Sequence, residues 1–472
     1  MSYSNIQVQP PLEFIPSNFK PLVQKGTKLI LPWWLKFQTS IADIQVNNLE
    51  TLAQLYQSFH QGKTRFLMAF RHPSTEDQLS MGYMIWYLLP KVAKQKGITL
   101  PSLLHYHFIF DRGIPLWAGN FVGKWYSYLG GSSIRRGKLD RQGLKSAREL
   151  FANSSLPMMA APEGGTNGHN EIVSSLEPGI AQMGFWCVED VSKAGRSEEV
   201  FILPIGIQYK YLDEPWKNVE KLLTTLEKDS GLSPGMENLS SQEKLAPSKL
   251  YQRLLRLAGH LLGKMEDFYR RFYHRKFPEY TQENSSQEPL GDDHVNETIN
   301  TRLNTLLNVA LEVAEEYFHI HSKGDFIDRC RRLEQAVWDY IYREDIENLA
   351  ILSPIDRGLA NKLAQEASLQ LWHIRLVESF VAVSAKYIQE KPTVERFADT
   401  ILSIWDMINR IKGGNILKRP QIGKQRVEMT VGKPISVSQR LQGYQNQRRR
   451  AISELTQDLQ NSLEGMIKSS IT

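Results

Sequence analysis

Cysteine is nearly absent from this sequence. Cys187 and Cys330 are its only two cysteines, and both lie among apolar neighbours. A disulfide-stapled fold is therefore excluded, and both thiols are predicted to be reduced core residues of a cytoplasmic protein. The N-terminal segment has no basic start followed by an apolar core, so it does not read as a secretory signal.

Long apolar runs are missing as well. The longest charge-free apolar-rich stretches, such as "LSMGYMIWYLLP" at 79–90, are shorter than the roughly 18–20 residues that span a bilayer. No transmembrane helix is predicted, and peripheral contact with a membrane stays open. Cysteine and histidine do not occur at metal-ligand spacing either, so the sequence predicts no metal site.

Charge of one sign is only slightly in excess, because 57 basic residues face 51 acidic ones for a net charge of +6. This balance is compatible with an acidic partner, such as a phosphorylated small molecule or an anionic membrane, and selects neither. The basic clusters at 330–334 and 447–451 lie on helical patterns. We interpret them as solvated helix faces, and no nucleic-acid partner is predicted.

The chain does contain alternating short apolar runs and helical patterns. Apolar runs bounded by turn residues occur at 65–70, 104–110, 156–162 and 200–209. Helix-like stretches, such as 77–96 and 140–153, separate them. This alternation predicts the fold class α/β, with a mainly parallel sheet flanked by helices.

From residue 213 the spacing of apolar residues changes, and the new pattern predicts a large all-helical insertion. From 250 to 411, apolar residues recur three and four apart, which is typical of amphipathic helices. At 427–431, apolar and polar residues alternate again, as in a half-buried strand, and we expect this strand to join the same sheet as 200–209. The predicted domains are an N-terminal tail and interfacial segment (1–42), the first part of the α/β domain (43–212), the helical insertion (213–418) and a final strand with a C-terminal helix (419–472).

The segment "KLILPWWLKF" (28–37) holds two adjacent tryptophans, Trp33 and Trp34, flanked by Lys28 and Lys36. Indole rings next to lysine side chains are typical of a membrane–water interface. A tryptophan pair that covers the edge of a core is the alternative. A membrane surface is therefore one predicted partner.

The histidine of "RHPSTEDQ" (71–78) directly follows the apolar run 65–70. The spacing predicts His72 at the carboxyl edge of a strand, where sites form in open α/β sheets, and Asp77 in the first turn of the next helix. Asp77 would accept a hydrogen bond from one imidazole nitrogen and leave the other as a base for a hydroxyl proton. The alternative is a capping box, with Ser74 as N-cap and Asp77 at the third helical position.

Further stretches in the chain extend this pattern: "GGSSIRRG" (130–137), "APEGGTNG" (161–168), "LPIGIQY" (203–209) and "VGKPISV" (431–437). With the His-x4-Asp pair, and in this order, they resemble the motif blocks of the glycerolipid acyltransferase family, the lysophosphatidic acid and glycerol-3-phosphate acyltransferases. The matching residues are His72, Ser74 and Asp77, then Gly130, Ile134 and Arg136, then Pro162, Glu163 and Gly164, then Leu203, Pro204 and Ile205. The resemblance covers about 60–215 and 420–472, and leaves out the helical insertion.

The resemblance implies a peripheral-membrane O-acyltransferase of phospholipid biosynthesis. The acyl donor would be a thioester of acyl carrier protein or coenzyme A, as a co-substrate, and no cofactor is predicted. The acceptor would be a glycerol-phosphate-type hydroxyl such as that of lysophosphatidic acid. His72 would act as base and Asp77 would orient it, while backbone N–H groups of Gly164 and Gly165 would stabilise the charge that develops on the carbonyl oxygen.

Two departures from the family pattern leave the acceptor open. Arg71 stands where the family often has asparagine, and "GGTNG" after Glu163 lacks the arginine that is thought to hold the acceptor phosphate. Arg135 and Arg136 are the candidate replacements. Ser74 and Glu163 complete the predicted substrate contacts, although Glu163 has the alternative role of capping its own loop. The acceptor is alternatively glycerol-3-phosphate or a non-phosphate alcohol, or the chain is a non-catalytic membrane-associated protein on the same fold.

Overall fold

The chain divides into two units of different construction. A computed structural model describes residues 6–135, 139–233, 245–279, 292–346, 348–380, 386–415 and 418–467. The α/β unit comprises Leu12–Leu212 and Lys424–Thr472, and the helical unit comprises Met1–Pro11 and Asp213–Gly423. One stretch of the chain therefore leaves the α/β unit and returns to it about two hundred residues later.

An eight-stranded sheet forms the centre of the α/β unit. Its strands are β1 (Ile41–Asn47), β2 (Thr64–Phe70), β3 (His107–Asp111), β4 (Gly131–Ile134), β5 (Met158–Ala160), β6 (Glu199–Tyr211), β7 (Gln425–Val431) and β8 (Ile435–Ser436). The order across the sheet is β1-β7-β6-β2-β5-β3-β4, and β8 also pairs with β6. Strands β2 to β6 run parallel, whereas β7 and β8 run antiparallel to β6. The predicted α/β class with a mainly parallel sheet is confirmed.

Helices cover both faces of this sheet. They are α1 (Pro21–Gln38), α2 (Leu49–His60), α3 (Asp77–Tyr83), α4 (Leu89–Lys96), α5 (Ile114–Ala118), α6 (Asn120–Tyr128), α7 (Arg141–Asn153), α8 (Gly179–Lys193), α16 (Leu441–Asn446) and α17 (Arg448–Gly465). A π-helical turn, Met84–Leu88, joins α3 to α4. Of the helices in the described ranges, none is both long and apolar enough to cross a membrane.

Strand β2 shows why this sheet needs two layers of helices. All seven of its residues are buried. Alternate side chains point to opposite faces of a strand, so Phe66, Met68 and Phe70 pack into the core beneath α1–α4. Leu67 and Ala69 pack into the other core, with α7, α8 and α17. A near-continuous apolar run is the pattern expected of a strand buried on both faces.

The last strand joins the sheet as the sequence predicted. Strand β7 pairs with β6 from Ile205 opposite Val431 to Tyr211 opposite Gln425. Its buried residues are Val427, Met429 and Val431, the three that alternate with polar residues in the sequence. The strand sits between β6 and β1, so the sheet depends on a segment that follows the whole helical unit.

Much of the predicted N-terminal tail and interfacial segment (1–42) belongs to the α/β unit. Residues 21–38 form helix α1, and β1 begins at Ile41 and pairs parallel with β7. The α/β unit thus starts at Leu12 rather than at 43, and it resumes at Lys424 rather than at 419. Polar residues alternate with apolar ones in β1 because one face of this strand packs on the core, through Ile44 and Val46, and the other faces solvent. Strand β4 was also not predicted, since its sequence "GSSI" is short and has only one apolar residue.

In the helical unit, the elements within the described ranges are mostly amphipathic helices. They are α9 (Trp216–Asp229), α10 (Pro247–Tyr273), α11 (Asp292–Phe318), α12 (Phe326–Ile341), α13 (Pro354–Phe380), α14 (Lys386–Glu390) and α15 (Val394–Ile411), with one 3₁₀ turn at Leu349–Ile351. Buried ion pairs link some of them, such as Arg329 of α12 with Glu315 of α11 at 2.7 Å. Cys330 in this unit and Cys187 in the α/β unit are both free and buried, as the sequence predicted.

Candidate active site

Three neighbouring strands bring two predicted site residues and a tyrosine to one edge of the sheet. Strand β2 lies between β5 and β6 and runs parallel to both. His72 follows β2, Glu163 follows β5, and Tyr209 lies near the end of β6. Since the carboxyl ends of parallel strands meet at one edge, where α/β sheets usually carry their sites, these side chains define a candidate active site.

His72 and Asp77 form the centre of this site. His72 Nδ1 lies 2.9 Å from Asp77 Oδ2. The Asp77 side chain is fully buried, whereas the His72 side chain is 12% exposed. A carboxylate that accepts from Nδ1–H fixes the imidazole tautomer and leaves Nε2 with its lone pair. Nε2 has no hydrogen-bond partner among the described residues, so it is available to a substrate hydroxyl.

Two further donors hold the Asp77 carboxylate. The Ser74 backbone N–H donates to Oδ2 at 2.9 Å, and the Tyr209 hydroxyl donates to Oδ1 at 2.6 Å. Ser74 Oγ accepts from the Glu76 N–H at 3.2 Å. One carboxylate therefore holds both the His72 ring and the Ser74 N–H. The predicted capping box is not formed as such, because α3 begins at Asp77 and its N-cap is Glu76 rather than Ser74. Burial and the nearby negative charge of Asp77 raise the pKa of Tyr209 well above its usual value, which keeps the phenol a neutral donor.

Glu163 supports the loop that follows β5. Its Oε1 accepts from the backbone N–H of His72 at 2.8 Å. Its Oε2 accepts from the Ser174 N–H at 2.9 Å and from Asn167 Nδ2 at 3.0 Å. The residue is only 3% exposed, and this burial raises the pKa of its carboxyl. Both carboxylate oxygens of Glu163 accept hydrogen bonds from within the protein. The geometry therefore favours the alternative role of Glu163, to hold its own loop, over the predicted contact with the substrate.

Arg71 is fully buried beside His72 and ties the same loop to strand β6. Its guanidinium donates to the backbone carbonyls of His169 at 2.7 Å, Ile172 at 2.7 Å and Ile207 at 2.8 Å. It also donates to the carbonyl of Asn170 at 2.5 Å. The planar fork of arginine suits such multiple acceptors, and its charge lies close enough to Glu163 to lower the pKa of that carboxyl in part.

Asn170 completes the connection between this loop and Tyr209. Its Oδ1 accepts from the Tyr209 N–H at 2.7 Å, and its Nδ2 donates to the Tyr209 carbonyl. One amide side chain thus satisfies both backbone groups of the residue whose hydroxyl holds Asp77. The position of the carboxylate partner of His72 therefore depends on the folding of residues 163–172.

The backbone N–H groups of Gly164 and Gly165, both predicted to bind the carbonyl oxyanion, differ in their hydrogen bonds within the protein. Gly164 has a φ of +72°, which favours glycine, and its N–H donates to the Ala161 carbonyl at 3.2 Å. That amide is engaged in a turn, which argues against an oxyanion role for it in this conformation. The N–H of Gly165 has no acceptor among the described residues, so Gly165 is the remaining candidate.

The predicted phosphate ligands lie at the end of β4. Arg135 directly follows that strand, and its backbone N–H donates to Asp140 Oδ2 at 2.8 Å. Arg136 lies outside the described residues. Strand β4 is three positions from β2 in the sheet, which at about 4.8 Å per strand puts Arg135 about 14 Å from the strand that carries His72. Both strands run in the same direction, so the two residues share the carboxyl edge.

Comparisons with known proteins find nothing similar. No family model, no curated protein and no solved structure matches this chain. A functional assignment therefore depends on the residues and geometry of the site itself.

Sequence reasoning did not identify three residues that hold this site together, namely Arg71, Asn170 and Tyr209. A signal was present for Arg71, since a charged residue that directly extends an unbroken apolar strand must be buried and paired. Tyr209 ends the motif "LPIGIQY", but its contact with Asp77 joins residues 132 positions apart. In the described part of the chain, no group of three or more histidine, cysteine or acidic residues is placed to hold a metal.

Glu76, next to Asp77, should make the stability of the α/β unit depend on pH. Burial, and then the negative charge of Asp77, raise the pKa of Glu76 to about 7. The unfolded chain releases this proton near pH 4.5, so the folded protein holds it more tightly and stability should fall as pH rises from about 4.5 to 7. Glu76→Gln should remove that slope and add about 1–3 kcal/mol to the free energy of unfolding at pH 8.

Urea unfolding of both proteins at pH 5 and pH 8 measures this difference. Glu149→Gln, at an exposed carboxylate on α7, is the matched control and should leave the slope unchanged. Equal slopes in wild type and Glu76→Gln would show that Glu76 ionises alike in the folded and unfolded states.

Proposed function

We propose that this chain is an O-acyltransferase that moves a fatty acyl group from a thioester to the hydroxyl of a glycerol-phosphate-type acceptor such as lysophosphatidic acid. The observation that carries the proposal is the oriented His72–Asp77 pair at the carboxyl edge of the sheet, with Nε2 unpartnered among the described residues. The ordered motif blocks support the acyltransferase class, and the α/β unit interrupted between 212 and 424 fits a split domain of that type.

The proposed reaction needs only one base and one oxyanion donor. Nε2 of His72 takes the acceptor hydroxyl proton as the oxygen attacks the thioester carbonyl carbon. Asp77 stabilises the imidazolium that forms, and the Gly165 N–H stabilises the tetrahedral oxyanion. The C–S bond then breaks, and the leaving thiolate takes the proton from Nε2. The products are the ester and the free thiol of coenzyme A or acyl carrier protein.

The proposal includes reversible attachment to a membrane surface, because acyl acceptors of this class lie in lipid. Helix α1 is the candidate anchor. Trp33 and Trp34 on it are 54% and 47% exposed, so they do not cover a core edge in the α/β unit. Indole rings at headgroup level and lysines beside them are the usual features of an interfacial helix. Phospholipid biosynthesis on a cytoplasmic membrane face is the setting that we propose.

A matrix of substrates tests the proposed function. Purified protein would be given lysophosphatidic acid, glycerol-3-phosphate and a neutral monoacylglycerol, each with acyl-carrier-protein and coenzyme A thioesters. We expect release of free thiol and formation of an ester with lysophosphatidic acid. Turnover with another acceptor would assign that acceptor instead. No turnover with any pair, from protein that is folded by circular dichroism, would favour the non-catalytic alternative.

Tyr209 should act as a positioning residue in this reaction. Its hydroxyl is one of the three groups that hold Asp77, so Tyr209→Phe should lower kcat by about 3–10-fold and leave both KM values nearly unchanged. Tyr56→Phe is the matched control, because Tyr56 is also buried and donates its hydroxyl to the His105 carbonyl in the same unit. Steady-state kinetics of both variants decide the point. An equal fall of kcat in both would mean that Tyr209 acts through stability alone.

A further inference from the structure

A groove between helices α1 and α4 is separate from the candidate active site. It has a volume of about 560 Å³, and its lining includes apolar side chains of Ile98, Leu100 and Leu104 from the segment after α4. The helical stretch that begins at Asp77 ends beside it at Lys96. At 1.5 Å rise per residue, the stretch from Asp77 to Lys94 is about 25 Å long, too far for the groove to hold the reacting acceptor hydroxyl.

Three lysines surround this groove. Lys25 and Lys28 come from α1, and Lys94 comes from α4. No acidic residue lines the groove, and none of the three ammonium groups forms an ion pair with a carboxylate in the described part of the chain. Lys25 and Lys94 are exposed, whereas Lys28 lies over the ring of Tyr87 at 5.4 Å. Unpaired cations around an apolar floor fit an amphiphile with an anionic head.

Helix α1 carries an apolar stripe on its outer face, defined by Leu22, Leu29, Trp33 and Phe37. These four are 81%, 79%, 54% and 58% exposed, respectively. Their spacing of seven, four and four residues places them on one side of the helix. A large solvent-exposed apolar stripe is unusual for a surface helix unless it meets a partner. Of the two α1 lysines that line the groove, Lys25 lies beside this stripe, three residues after Leu22 and four before Leu29. Lys28 lies nearer the side of α1 that faces Tyr87.

We propose that the groove binds the phosphate headgroup of an anionic phospholipid while the apolar stripe inserts among the acyl chains. This inference rests on the proposed membrane attachment and names the lipid class that it would select. Lys25 lines the groove and lies beside the stripe on the same helix, and this proximity favours a lipid over an acidic carrier protein. Attachment would then be strongest on membranes rich in anionic lipid.

Vesicle sedimentation with three double variants tests the proposal. Lys25→Glu/Lys94→Glu alters the groove at exposed positions. Trp33→Ala/Trp34→Ala removes one ring of the apolar stripe and the exposed ring next to it on α1. Lys145→Glu/Lys193→Glu makes the same charge change at exposed sites on α7 and α8. Each protein would be mixed at low salt with phosphatidylcholine vesicles and with vesicles that also contain phosphatidylglycerol.

The groove variant should lose at least about thirty-fold in affinity for the anionic vesicles and change little on the neutral ones, since each lysine near an anionic surface contributes about 1 kcal/mol, or about fivefold in affinity. The tryptophan variant should weaken on both vesicle types, and the α7/α8 control should lose less than about threefold. An equal loss in the groove and control variants would overturn the proposal, because it would show a nonspecific charge effect.

Two further measurements would distinguish the proposed lipid from free phosphate and from acyl carrier protein as the ligand of the groove. Inorganic phosphate at matched ionic strength should not release the protein from anionic vesicles; release would assign the groove to free phosphate. The KM for acyl carrier protein thioester with soluble glycerol-3-phosphate should be unchanged in the groove variant. A raised KM with normal vesicle binding would assign the groove to the carrier protein. Sedimentation needs no turnover, so its result stands even if the chain transfers no acyl group.

Discussion

Replacing His72 with alanine should lower acyl transfer by about 10²–10⁴-fold, the usual contribution of a general base. The reason is geometric, because Nε2 of His72 has no hydrogen-bond partner among the described residues and its other nitrogen is held by Asp77 at 2.9 Å. The measurement is the single-turnover rate with the acceptor and donor that the substrate matrix identifies. The loss should appear mainly in kcat, since the base acts in the transition state.

The free energy of unfolding of the His72→Ala protein should stay close to that of wild type. The His72 side chain is 12% exposed at the sheet edge, and Asp77 keeps its bonds from Ser74 and Tyr209 when the imidazole is removed. His60→Ala, at an exposed position at the end of α2, is the matched control and should retain full activity. Near wild-type turnover in a folded His72→Ala protein would remove the catalytic role of His72.

The second large effect is expected from Arg71. Arg71→Met should lower the free energy of unfolding of the α/β unit by about 3–5 kcal/mol, because it removes the guanidinium from four carbonyls and leaves Glu163 without a nearby positive charge. Of these carbonyls, that of Ile172 keeps a second donor in Asn167 Nδ2. Arg71→Lys should cost less but still more than about 1 kcal/mol, since an ammonium cannot reproduce the planar fork.

Arg65 offers a matched control, because it lies in β2, the strand that Arg71 directly follows. It is also buried, but its guanidinium donates to only two carbonyls, those of Phe151 and Ser154. Arg65→Lys should therefore cost less than Arg71→Lys. Urea unfolding monitored by the fluorescence of the α/β unit gives the free energies, and hydrogen exchange at residues 163–172 reports the loop directly. Unchanged exchange in Arg71→Met would show that the loop does not depend on this arginine.

The loop and the catalytic pair are expected to fail together. Arg71 and Asn170 tie residues 163–172 to β6, and Tyr209 of β6 holds Asp77. Destabilising substitutions in this loop should therefore lower activity without touching His72. Temperature separates this positioning role from a catalytic one. The loss of activity in a loop variant should be smaller at lower temperature, where the loop is folded. The loss of activity in His72→Ala should persist at every temperature.

Local sequence pattern determined many of the strands and helices in both units. The apolar run at 65–70 lies within a strand buried on both faces, and the three- and four-residue spacing between 247 and 273 is that of one long helix. Such periodicities report which side of an element is buried, whatever it packs against. The His72–Asp77 contact was also predictable, because the partners are only five positions apart, between the end of β2 and the first residue of α3.

Only the tertiary structure decided how distant segments meet. In the structure, residues 21–38 form a helix with an exposed apolar face, and β7 pairs antiparallel with β6. The structure also assigned Glu163 and Arg71 to loop support and brought Tyr209 to Asp77 across 132 residues. Contacts of this kind depend on which strands become neighbours, and side-chain spacing along the chain carries no information about that choice. The chemistry of His72 was therefore visible in the sequence, whereas the residues that hold it in place were not.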